Sequence, residues 1–128
     1  MLIAGVEPES AACAFESARS GGTVTVPGPH RSVMAGLNCG TVSILAWPVL
    51  RDGIDLFVKV SDEDAFEAMN ILAADGIVSG ESGSAGLAGM LVLRRSGKTG
   101  LPRDVLLIST EGITDPELYR RVVSPRGR

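Results

Sequence analysis

Short apolar runs alternate along this chain with stretches whose apolar residues return every three or four positions. Residues 2–6 form the first run, which stops at Glu7-Pro8 and reads as a buried strand. Residues 10–19 place Ala12, Phe15 and Ala18 on one stripe of an amphipathic helix, and Gly21-Gly22 stands where such a helix stops. Residues 23–26 are β-branched throughout and predict a strand, broken by Pro27-Gly28-Pro29. Residues 32–38 predict a short helix or turn closed by Cys39-Gly40. Residues 43–51 read as a helix with Leu45, Ala46, Val49 and Leu50 on one side. Pro48 lies inside that window and, lacking an N–H, would kink it.

The second half continues the alternation. Residues 54–60, IDLFVKV, form the next strand. Ser61 and Asp64 then have the spacing of a capping box, and the acidic residues at 62–64 complement a helix dipole. Phe66, Met69 and Ala73 make the expected buried stripe, and Gly76 ends the helix. After the apolar pair Ile77-Val78 comes SGESGSAGLAG, a glycine-rich entry to a helix that runs to about Arg95. Leu87, Met90, Leu91, Val92 and Leu93 make this helix apolar nearly all round, which predicts a central position. Residues 105–108 predict the last buried strand, Asp115 an N-cap and Pro116 the first residue of a closing helix. Residues 124–128 read as a frayed tail. Strands that are continuous apolar runs, each followed by a helix, predict an α/β fold with a parallel sheet covered on both faces.

Composition narrows the function more than the fold. A chain of 128 residues with 45% apolar and 21% charged residues can bury one core. Sixteen glycines and only 4% aromatics suit close helix–sheet contact. The net charge of −3, with no basic stripe, argues against nucleic-acid binding. No apolar run is long enough for a membrane span, and the N-terminus has no signal-peptide pattern, so a cytoplasmic protein is expected. Two cysteines, Cys13 and Cys39, fit a reducing compartment, and with the lone His30 they are too few for a metal site.

In open parallel sheets, ligands bind beyond the carboxyl ends of the strands. Three polar clusters stand at such places: residues 7–10, 79–84 and 109–112. The second joins a glycine-rich backbone to a helix start, where free N–H groups can receive an anion. It has neither the Walker spacing nor the dinucleotide fingerprint, and a tight turn beneath a buried helix would explain its glycines equally well. Glu81 tips the balance toward function, because a carboxylate at the mouth of a central helix is costly to bury without a partner. For Ser109 and Thr110 a turn or cap is the plain alternative. Lys59 reads as a strand-face residue and Lys98 as a solvated loop residue.

Four stretches carry a resemblance: GVEPESAACAFESARSG, MAGLNCGTVSILAW, SGESGSAGLAGML and LLISTEGITDPELYRR. In order, over almost the whole chain, they resemble the C-terminal third of the diaminopropionate ammonia-lyases. Those are pyridoxal-phosphate enzymes of fold type II, the tryptophan-synthase-β-like fold. The resemblance implies a three-layer parallel-sheet fragment of such an enzyme. Residues 1–123 would be the C-terminal part of its cofactor-binding large domain. It implies α,β-elimination of ammonia from 2,3-diaminopropionate to give pyruvate, with pyridoxal 5′-phosphate as cofactor and a small amino acid as substrate.

Residue by residue, the resemblance puts the hydroxyl of Ser109 or Thr110 at the pyridine nitrogen. Glu81 would lie near the ring with Gly83 and the following helix close beneath, and Ala35-Gly36 would line the opposite wall. The family's Schiff-base lysine and glycine-rich phosphate loop lie upstream of these motifs. No catalytic residue is therefore expected on this chain, and alone it should be inactive. Its partner would be the missing N-terminal half, within a homodimer. The same fold could also bring Cys13 near Cys39. Two other readings remain open at this point. One is a non-catalytic α/β relic or interaction domain. The other is a piece of a serine/threonine dehydratase or threonine-synthase-like enzyme.

Overall fold

A computed structural model describes residues 1–123. Two strands, β1 (Ala4–Pro8) and β2 (Leu56–Val60), pair in parallel from Ala4 opposite Leu56 to Pro8 opposite Val60. Five α-helices accompany them: α1 (Cys13–Ser20), α2 (Trp47–Gly53), α3 (Asp62–Ala74), α4 (Ala85–Arg95) and α5 (Pro116–Val122). Because successive strand side chains point to opposite faces, Val6, Val58 and Val60 share one face and Lys59 the other. On the first face, Val58 and Val60 pack with Ala65 and Ala68 of α3 and with Ala85, Leu87 and Ala88 of α4. Small residues at these positions let both helices approach the strands closely. On the second face, Lys59 reaches the Glu16 carboxylate of α1 at 3.4 Å and lies 4.5 Å above the Phe15 ring. A second apolar cluster of Cys13, Val42 and Trp47 joins α1 to α2. The expected parallel α/β layering is therefore present around a two-stranded sheet.

Helix starts follow their sequence signals closely. The Ser61 hydroxyl accepts from the Asp64 N–H at 3.1 Å, and the Asp64 carboxylate accepts from the Ser61 N–H at 2.9 Å. That reciprocal pair satisfies two donors that the first turn of α3 would otherwise leave bare. Ser61→Ala should cost about 1 kcal/mol, read as a lower midpoint in urea unfolding. An unchanged midpoint would mean that α3 is held by packing alone. Asp115 caps α5 from one side, its carboxylate accepting from the N–H groups of Glu117 and Leu118 at 3.1 and 2.9 Å. Gly21 closes α1 in the left-handed region at φ 80°.

Elsewhere the structure corrects the reading of the pattern. Pro48 does not kink a helix, because α2 begins at Trp47 and places Pro48 in the first turn, where an N–H has no partner to lose. Residues 23–26 form no strand; one antiparallel bridge joins Thr25 to Thr41. In α3 the buried residues are Ala65, Ala68 and Met69, with Phe66 and Ala73 half-buried. In α4 they are Ala85, Leu87, Ala88 and Gly89, while residues 90–93 are half-buried. Residues 105–108 are neither a strand nor buried: Leu106 is 89% and Ile108 75% exposed. A strand exists only with a neighbour, and no described strand lies beside this run. The expected tail at 124–128 lies outside the described residues.

Candidate functional site

Of the three polar clusters, the first is a helix cap. The Glu7 carboxylate at the end of β1 accepts from the N–H groups of Ala14 and Phe15 at 2.9 and 2.7 Å, and from the Cys13 thiol at 3.6 Å. A carboxylate there satisfies bare donors and meets the positive end of the α1 dipole. Burial pushes the Cys13 thiol up from 9.0 to about 12, and the Glu7 carboxylate and neighbouring Cys39 push the same way. Both cysteines are free.

The folded chain thus keeps a proton that the unfolded chain has released, so stability is full below pH 9.0 and falls as pH rises toward about 12. Cys13→Ala should remove this alkaline loss. Urea unfolding of both forms at neutral pH and at about pH 11 measures it, and equal losses would refute it.

The other two clusters meet at the entrance to α4. Residues 79–84 form a turn in which Ser79, Glu81 and Ser84 are buried. The Ser84 hydroxyl donates to the Gly80 carbonyl at 2.8 Å and closes the turn. The Gly80 N–H donates to the Glu111 carbonyl at 3.2 Å, and the Ser79 and Ser109 hydroxyls stand 2.8 Å apart. Glycine makes this approach possible. A Cβ on Gly80 would overlap the Gly112 carbonyl oxygen. A Cβ on Gly83 would overlap the Glu111 carbonyl oxygen and stand 2.6 Å from the Ser79 hydroxyl and 3.0 Å from that of Ser109. On the other side, the Gly36 N–H donates to the Ser82 hydroxyl at 3.2 Å.

Four of the expected site residues, Gly36, Glu81, Gly83 and Ser109, therefore converge. Ala35 is exposed on the short 3₁₀ turn Ala35–Leu37 that carries Gly36. Thr110 is exposed, and its side chain makes no hydrogen bond among the described residues. The sequence reading had Ser79, Ser82 and Glu111 within its polar clusters without singling them out, and it missed Thr114. The Thr114 hydroxyl lies 2.9 Å from Glu111 Oε1 and 3.3 Å from Glu81 Oε2. Its only signal was a position just before the Asp115 cap, which hides a second role. A separate hollow of about 230 Å³ lies at the carboxyl ends of β1 and β2, with Glu9, Arg31, Asp62 and Glu63 in its wall, and none of the expected site residues lines it.

Neither lysine reaches the cluster: Lys59 is engaged with Glu16 beneath the sheet, and Lys98 is exposed in the loop after α4. Among the described residues, no helix is long and apolar enough to cross a membrane, and no group of side chains could hold a metal ion.

The sequence is 39% identical to diaminopropionate ammonia-lyase of Escherichia coli (strain K12) over 92% of this chain and 33% of that relative. The chain thus spans about a third of the length of the curated relatives it matches. The fold superposes on selenomethionine-substituted holo diaminopropionate ammonia-lyase from Escherichia coli with a TM-score of 0.79 and 35% identity, covering 94% of this chain and 33% of the other. It superposes on the threonine deaminase of T.th. with a TM-score of 0.74 and 28% identity, covering 90% and 42% of the two chains. Residues 2–111, which carry both strands, the glycine-rich turn and α4, match the family as a whole: the chain belongs to the pyridoxal-phosphate dependent enzymes.

Proposed function

We propose that residues 1–123 form the C-terminal part of the cofactor-binding domain of an enzyme that eliminates ammonia from 2,3-diaminopropionate. The observation that carries this reading is the Ser79–Ser109 hydroxyl pair, 2.8 Å apart against the bare backbone of Gly83. A flat ring entering such a cradle meets hydroxyls and main chain instead of bulky side chains, which fits pyridoxal phosphate. When bound, that cofactor draws off the electrons left as the substrate loses its α-proton.

If Ser79 donates to Ser109, the Ser109 hydrogen is free for a pyridine nitrogen. Ser109 suits this task better than Thr110, because Ser79 fixes its oxygen. A neutral hydroxyl leaves the nitrogen largely unprotonated, which moderates electron withdrawal and favours β-elimination over transamination. Glu81 would stand beside the ring, and Ala35-Gly36, tied down by Ser82, would form the facing wall.

The lysine that carries the cofactor would come from the remaining two-thirds of the enzyme, as would the phosphate loop. We therefore expect no turnover from this chain alone, and a cytoplasmic homodimer for the assembled protein. The test is a hybrid in which this chain replaces the matching third of the Escherichia coli relative. Ammonia and pyruvate from 2,3-diaminopropionate, with little from serine, is the expected result. A preference for serine or threonine would make the parent a dehydratase. Borohydride trapping of pyridoxal phosphate on Lys59 in the chain alone would overturn the assignment of the lysine elsewhere.

A further inference from the structure

Glu81 is 2% exposed, and its Oε1 has no hydrogen-bond partner among the described residues. Its other oxygen lies 3.3 Å from the Thr114 hydroxyl, which stands nearer, at 2.9 Å, to Glu111 Oε1. A hydroxyl carries one hydrogen and cannot donate to both carboxylates. With that hydrogen on Glu111, neither oxygen of Glu81 receives a donor. Among the described residues, no lysine, arginine or histidine pairs with either glutamate. A carboxylate this buried and this poorly served is strongly unfavourable unless a donor-rich cation completes it.

From this we infer that Glu81 and Glu111, bridged by Thr114, form a binding site for a primary ammonium group. An ammonium is compact and brings three hydrogens, enough for Glu81 Oε1 and both oxygens facing Thr114. Resting on the lyase reading above, the group bound is the second amino group of 2,3-diaminopropionate, the feature that separates this substrate from serine. Serine offers a neutral hydroxyl there and leaves the two carboxylates uncompensated. Glu111 and Thr114 would then select the substrate, and Ser109 would serve the cofactor.

The site can be tested without cofactor or turnover. In an NMR titration of the chain, 1,2-diaminoethane should shift the signals of residues 81, 111 and 114. Glu111→Gln and Thr114→Val should each weaken that binding about tenfold, whereas Glu63→Gln, on the exposed start of α3, should not. Equal binding of the diamine and of ethane-1,2-diol, which has no ammonium, or no effect of Glu111→Gln, overturns the site.

In the hybrid enzyme, Glu111→Gln should lower kcat/KM for 2,3-diaminopropionate relative to serine by about tenfold. An unchanged ratio, with the diamine still binding the chain, would give the site to a lysine of the remaining enzyme and overturn the substrate assignment. A hybrid that releases no ammonia from any substrate would sink the lyase reading alone, and the titration would still decide the ammonium site.

Discussion

Gly83→Ala is expected to lower turnover in the hybrid enzyme by about a hundredfold or more while leaving the chain folded. The added Cβ would overlap the Glu111 carbonyl oxygen and crowd the Ser79 and Ser109 hydroxyls at 2.6 and 3.0 Å. A side chain can rotate out of such a contact, but a carbonyl moves only with its backbone. Residues 105–112 are mostly exposed and pair with no strand, so this segment can give way without opening the core. The disturbance therefore falls on the site. A shift of about 1 Å in a positioned group is worth about two orders of magnitude in rate, because alignment rather than contact is what is lost. The far-ultraviolet dichroism and urea midpoint should stay near wild type while kcat/KM collapses. Wild-type turnover in Gly83→Ala would mean that the cradle is not part of the active site.

How much of this was legible beforehand divides by the range of the interactions. Caps are local: Ser61, Asp64 and Asp115 took the places their spacing implied because each accepts from an N–H two or three residues away, and Pro116 because the first turn asks no N–H of it. Strands are not local. The run at 105–108 is as apolar as residues 56–60, yet only the latter lies beside another strand. An apolar run records a tendency to pair and says nothing of whether its neighbour is within the same chain. The relatives extend over about three times the length spanned here, so the neighbours of such runs can lie in the part not represented.

The site shows the same division. Glu81 and Gly83 stood out because a buried carboxylate and a glycine-rich helix entry are odd locally. The Ser79–Ser109 contact joins residues 30 apart in sequence and needed the fold to appear. Thr114 was hidden differently, since its place before a good N-cap already had a sufficient explanation.

Gly89→Val should fail in the opposite way to Gly83→Ala, by stability and not by chemistry. Gly89 faces Val6 across the contact between α4 and β1, and a Cβ there would overlap Val6 Cγ2 and stand 3.0 Å from Cγ1. Val6 cannot easily turn aside, because a β-branched side chain has few χ1 choices and its backbone is paired with Val58. The helix must lift instead, and that loosens Ala85, Leu87 and Ala88 from Val58 and Val60, the centre of the core. Overpacking of this kind costs about 1–3 kcal/mol for one methyl-sized intrusion and more for a branched one.

Gly89→Ala partly offsets its own intrusion, since alanine gains about 1 kcal/mol of helix propensity over glycine. Valine keeps less of that gain and adds two more carbons, so Gly89→Val should lose about 3 kcal/mol or more, against a smaller loss for Gly89→Ala. Urea unfolding of the three forms gives the order directly. Because Val6 and Gly89 lie within the core and not against Ser109 or Glu111, the folded fraction of a Gly89→Val hybrid should keep its kcat at low temperature. A variant as stable as wild type would show that α4 does not rest on β1 through this glycine. A stable but inactive one would place the site on the wrong side of the helix.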